Sequence, residues 1–252
     1  DLAPAAQALV GGDHHLAARV HVMLERSSDP LADYRCANVA VTRRLARAAS
    51  ERGVRRFVFL STIKVNGEHT EANAFSAQDA PNPQDPYGIS KWEAEQALHE
   101  VAVTTGLEVV IIRPPLVYGP RVGANFMRMI RLVERGIPLP LASIDNRRSV
   151  IFVENLADAI VACLFPPVAV GKTYLVSDGA PLSTPELLRL VARAMRRAAR
   201  LWRFPPALLR LVAQIAGRRG DATRLMGSLV VDGSLICQEL GWSPPFPTFK
   251  GI

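Results

Sequence analysis

The chain has 252 residues, room for one large α/β domain or a domain with a smaller lobe, and 49% of them are hydrophobic. No uninterrupted apolar run approaches the roughly 18 residues that span a bilayer, so no integral membrane segment is expected, and with no basic-then-apolar leader at its start nothing in the sequence argues for secretion. The net charge is +7, and the isolated cysteines Cys36, Cys163 and Cys237 fit reduced thiols in a cytoplasmic protein rather than a disulfide framework or a metal site.

Helical and strand-like segments alternate, as expected of a parallel sheet with crossover helices. Asn38–Gly53 carries apolar residues at helical spacing and ends on glycine, and Val54–Thr62 is a short β-branched and aromatic run expected to be a buried strand. Tyr87–Gly106 reads as a second helix, opened by Pro86 and closed by Gly106, and Leu107–Pro120 as another buried strand ended by prolines. Asn125–Gly136 and Val153–Phe165 are further helices; beyond Lys172 the pattern changes to a strand and then to helices punctuated by proline. The rhythm predicts a doubly wound α/β fold, with a Rossmann-like domain over 1–120 and a smaller, partly interleaved lobe over 121–252, from which Val150–Phe165 returns to the main domain.

Between Arg189 and Arg224 there are ten arginines against one acid, Asp221. Such a run reads first as a solvated face near an acidic ligand, and second as a membrane or nucleic-acid surface; no nucleic-acid motif accompanies it, so no nucleic-acid partner is expected.

"DPYGISKWEAEQ", Asp85–Gln96, places Tyr87 and Lys91 four residues apart at a helix start, hence on one face. A tyrosine titrates near 10 and is a poor base at neutral pH; an adjacent ammonium favours the phenolate and makes the phenol a general acid/base. A Y-x-x-x-K spacing alone is more often structural. Here Thr62 lies 25 positions upstream at the end of a strand, on the carboxyl edge where parallel sheets bind ligands. A hydroxyl, a tyrosine and a lysine together suit proton transfer at a carbinol or carbonyl, the companion of hydride transfer, which only a cofactor can carry.

At these residues the sequence resembles the extended short-chain dehydrogenase/reductases, in particular the nucleotide-sugar epimerase/dehydratase group. "HLAAR" (His15–Arg19), "NVAVT" (Asn38–Thr42), "STIKVNG" (Ser61–Gly67), "YGISK" (Tyr87–Lys91), "RPPLVYGP" (Arg113–Pro120) and "NRRSVIFVENLADAI" (Asn146–Ile160) match its motifs in order, with Val41 where glycine is usual. The resemblance implies Thr62, Tyr87 and Lys91 as catalytic groups. It also implies NAD, or NADP, held by Leu16, Ala17, Ala18, Asn38, Leu60, Tyr87, Lys91, Pro114 and Val117. Arg19, Lys64, Asn125 and Arg148 would contact a nucleotide diphosphate sugar, Arg148 through its pyrophosphate, since guanidinium grips phosphate oxygens in two-point fashion. A homodimer built on the helices Asn38–Ser50 and Tyr87–Val101 is a further implication. The group's glycine-rich strand–turn–helix, which cradles the dinucleotide pyrophosphate, has no match, and this N-terminal unit is expected to be missing from the chain.

Within the group, dehydratases follow the active-site Ser/Thr with an Asp–Glu pair; here Ile63 and Lys64 stand there, which ranks dehydration low. Epimerisation at C4 of a UDP-hexose or UDP-N-acetylhexosamine for surface polysaccharide is the expected reaction. The alternatives are a 4-ketoreductase and, of another class, an inactive relative serving as a binding subunit.

Overall fold

The computed structural model describes residues 29–120, 124–215, 217 and 225–251. Asp29 caps α1 (Pro30–Tyr34), accepting from the Ala32 amide at 3.1 Å, and the helix runs through a π turn (Arg35–Ala40) into α2 (Val41–Glu51). The helix therefore begins eight residues before the expected Asn38, and the widened turn places Asn38 inside it.

Strands β1 (Arg56–Leu60), β2 (Glu108–Arg113) and β5 (Thr173–Leu175) form a parallel sheet in the order β1-β2-β5. Arg56 sits opposite Glu108 in register, and their side chains pair at 2.8 Å. Between β1 and β2 runs α3 (Pro86–Thr105), whose cap Asp85 accepts from the Gly88 amide at 2.7 Å and whose end is Gly106 in the left-handed region at φ 75°.

β2 shows why the run is apolar throughout. Val109 and Ile111 pack with Phe59, Ala46 of α2 and Ala94, Leu98 and Val101 of α3. Val110 and Ile112 face the other way, onto Leu156 and Ala159 of α5 (Val153–Ala162), Tyr174, and Ile236 of α8 (Ser234–Leu240). Alternate side chains thus enter two separate cores, as in a sheet covered by helices on both faces.

The strand expected over Leu107–Pro120 is two strands. Pro114 and Pro115 cannot donate to a ladder, and β3 (Leu116–Tyr118) leaves the first sheet to pair in parallel with β4 (Val150–Phe152). Around this second pair, Tyr118, Phe126, Val133, Phe152, Leu187, Leu188 and Val191 form another core beneath α4 (Ala124–Glu134) and α6 (Thr184–Ala194). The strand after Lys172 returns as β5 to the first sheet. α7 (Pro206–Ile215) lies farther along, with no buried residue.

Candidate active site

The groups converge at the carboxyl end of β1. There the chain leaves the sheet at Ser61, extends at Thr62, and turns through a 3-10 helix, Ile63–Val65. The Thr62 hydroxyl caps that turn, accepting from the Lys64 amide at 3.4 Å, and shares a side-chain hydrogen bond with Tyr87. Tyr87 stands in the first turn of α3, its ring 6.0 Å from that of Tyr34. One turn on, the buried Lys91 ammonium donates to the Leu60 carbonyl at 2.9 Å and lies 4.5 Å from the Phe59 ring centroid.

Gly88 allows this approach of helix and turn. A Cβ there would sit 3.0 Å from the Lys64 carbonyl oxygen and 3.2 Å from Asp85 Oδ1, closer than side chains ordinarily come. The same corner is tied electrostatically, since Lys64 is paired with both Asp85 and Glu68, the latter at 2.9 Å.

Titration in this geometry differs from the expectation that Lys91 lowers the phenol's pKa. Burial pushes Tyr87 up to about 12, with the Thr62 hydrogen bond acting in the other direction. Burial also pulls Lys91 down to about 8, opposed by the carboxylate of Glu95.

Beneath these groups lies a buried polar network that the sequence reading missed. Arg113, the last residue of β2, donates to both oxygens of Glu95 at 3.0 and 2.6 Å and to Asn66 Oδ1 at 2.9 Å. Ser61 donates to Glu95 at 2.5 Å. Glu95 is one turn beyond Lys91, and Ser61 is the neighbour of Thr62, so the pair braces both sides of the site. A charged residue on the helix face that also carries Ala94 and Leu98 was the available signal.

The other sequence-predicted residues fall as follows. Asn38 is buried in the π turn and donates to Ser90 Oγ at 3.0 Å, and Ser90 donates to the Tyr87 carbonyl at 2.8 Å. Leu60 contributes the carbonyl that receives Lys91. The Pro114 carbonyl accepts from the Ile63 amide at 3.0 Å, and Val117 in β3 packs on the core shared with β2. Lys64 is engaged by its two carboxylates. Arg148 is paired through its backbone with Leu182 and Leu229, and its guanidinium donates to the Gly227 carbonyl at 3.0 Å. Burial lowers its pKa, and Glu68, the partner of Lys64, opposes that shift. Asn125 falls in the first turn of α4. Leu16, Ala17, Ala18 and Arg19 lie outside the described residues.

Two hydroxyls and an ammonium grouped at a sheet's carboxyl edge can hold an oxygen substituent and move a proton to or from it. Residues 14–176 match the model of the family described as NAD dependent epimerase/dehydratase. The chain is 45% identical over 242 residues to a UDP-glucose 4-epimerase of Vibrio cholerae, covering 94% of this chain and 73% of that protein. It is 30% identical over 255 residues to a dTDP-glucose 4,6-dehydratase of Streptomyces griseus, covering 99% of this chain and 72% of that one. Among solved structures, the UDP-glucuronic acid 4-epimerase of Bacillus cereus in complex with NAD superposes with a TM-score of 0.73 at 21% identity, over 94% of this chain and 70% of the other, which shows a shared Rossmann-like fold.

Proposed function

The chain belongs to the NAD-dependent epimerase/dehydratase family, and from that premise we propose that it is an NAD-dependent enzyme that epimerises a nucleotide diphosphate sugar at C4. The observation that carries the reading is the meeting of Thr62, Tyr87 and Lys91 at the end of β1. The greater likeness to a 4-epimerase than to a dehydratase agrees with it, as do Ile63 and Lys64 in place of the acid pair that dehydration requires.

The residues present fit the nicotinamide end of the cofactor. Lys91 has three protons to donate and turns one to Leu60, so ribose hydroxyls can take the others. Asn38, Pro114 and Val117 would complete that wall. When bound, NAD supplies a reversible hydride acceptor for the sugar C4. Tyr87 exchanges the proton on the C4 oxygen as that carbon passes between alcohol and ketone, and Thr62 hydrogen-bonds the same oxygen. The raised pKa keeps Tyr87 protonated, the form that gives a proton to the ketone. To take one it needs positive charge beside it, and that is the role assigned to Lys91.

Lys64, Asn125 and Arg148 are assigned to the substrate, with Arg148 against the diphosphate, and the lobe over 121–252 is its main seat. A UDP-hexose or UDP-N-acetylhexosamine is the proposed substrate class, and a homodimer, checked by sizing in solution, the proposed assembly.

The test is to incubate the full-length protein with UDP-glucose or UDP-N-acetylglucosamine and NAD, following the sugar by NMR. Inversion at C4 without net loss of NAD is expected. Conversion of a 4-keto sugar only with stoichiometric NADPH would make it a ketoreductase, and UDP-sugar binding with no conversion a binding subunit.

A further inference from the structure

We infer that α7 docks this protein, reversibly and peripherally, onto an anionic phospholipid surface. Leu208, Leu211, Val212 and Ile215 are 48%, 52%, 56% and 78% exposed. Their spacing, i, i+3, i+4 and i+7, puts all four on one stripe of the helix. No residue of α7 is buried, and Leu209 is the side chain that packs back onto the core of the second lobe. The helix thus lies on the surface with a continuous apolar ridge turned outward. Single exposed leucines are ordinary in soluble proteins, whereas an aligned set marks an interaction surface.

The surroundings say what meets it. From Leu187 to Gly220 the sequence holds nine arginines and no acid. Seven of those arginines, 189, 193, 196, 197, 200, 203 and 210, are exposed. Trp202, 47% exposed, stands four residues before the helix, in a segment held to the body by backbone hydrogen bonds from Trp202 to Leu139, from Leu139 to Arg200 and from Ala142 to Trp202. An apolar stripe, cationic flanks and an amphipathic indole are the three features that seat a helix in the headgroup boundary of a membrane. A second copy would bring the same arginines against these, so charge disfavours self-association through this face, whereas an anionic surface neutralises them. Among the described residues no helix is long and apolar enough to cross a membrane, so the attachment is to its surface. Ten residues bury little apolar area, and binding is correspondingly reversible.

Flotation of the full-length protein with vesicles tests this, using phosphatidylcholine alone and phosphatidylcholine with about a quarter phosphatidylglycerol. The wild type is expected to float with the anionic vesicles and stay behind with neutral ones. Leu211→Glu with Val212→Glu should weaken that binding about tenfold or more. Arg203→Gln with Arg210→Gln should weaken it roughly fivefold per charge. Ile215→Glu, at the most exposed position, serves as an independent variant should the double one misfold. Failure of the wild type to float overturns the proposal, as do equal binding to neutral vesicles and binding that survives both glutamate variants. An oligomer in solution that these substitutions dissociate also overturns it, and makes a second copy the occupant. None of these outcomes bears on turnover, so the epimerase reading stands or falls separately.

Discussion

Glu95 and Arg113 form a two-point ion pair with side chains 1% and 4% exposed, directly beneath the Thr62–Tyr87–Lys91 cluster. Removing one charge from such a pair strands the other without solvent. Glu95→Gln should therefore destabilise the fold by about 3–5 kcal/mol, measured by urea unfolding. A loss under about 1 kcal/mol would mean that Asn66 suffices to hold Arg113 and that the pair is dispensable.

Tyr87→Phe keeps the ring against Tyr34 and deletes only the oxygen shared with Thr62. Turnover should fall by about a thousandfold or more, within the range ascribed to a positioned acid/base, while the affinity for UDP-sugar, read by calorimetry, stays within about threefold. Undiminished turnover would remove Tyr87 from the chemistry.

The depressed Lys91 pKa makes a linkage prediction. Folded Lys91 releases its proton near 8 and the unfolded chain near 10.5, so between those values the unfolded state binds more protons and stability rises with pH. Against Lys91→Met, which lacks the titration, the wild type should gain up to about 3 kcal/mol across that window. Urea midpoints of both proteins at its two ends give the sign directly. A constant difference would show that Lys91 is not desolvated in the folded chain.

Gly88→Ala introduces a methyl 3.0 Å from the Lys64 carbonyl. α3 must then back away from the 3-10 turn, at about 1–3 kcal/mol, lengthening the reach from Tyr87 to Thr62. The expected signature is a kcat reduced by about tenfold or more with KM little changed. Wild-type kcat would show that the corner yields without moving the phenol.

For Arg148 the contrast is between binding and chemistry. Arg148→Ala should raise KM for the nucleotide sugar by about tenfold or more and leave kcat within about threefold, since removing a uniform contact spares the transition state. An unaltered KM would leave Arg148 as a structural donor to Gly227.

Local signals were readable in the sequence and long-range ones were not. The limits of α3 follow from Asp85, Pro86 and Gly106, each acting within one turn of its own position. The grouping of Thr62 with Tyr87 follows from a strand end and a helix start, both locally encoded. The π turn at Arg35–Ala40 leaves no comparable mark, because one extra residue over six does not alter an apolar periodicity visibly. The departure of β3 from the first sheet was marked by Pro114–Pro115, whose missing amides forbid a continuous ladder, but its partner Val150–Phe152 lies more than thirty residues on. Glu95 and Arg113 are separated by α3's end and a strand, and pattern alone could not join them.

The path through β2, β3, β4 and β5 stitches the cores around the two sheets together like a suture. Stopping synthesis at Pro120 would strip β2 of its neighbour Thr173–Leu175 and leave Val110 and Ile112 without α5 and α8. Neither half is then a module that could be shuffled or expressed alone, and a single cooperative melting transition is expected.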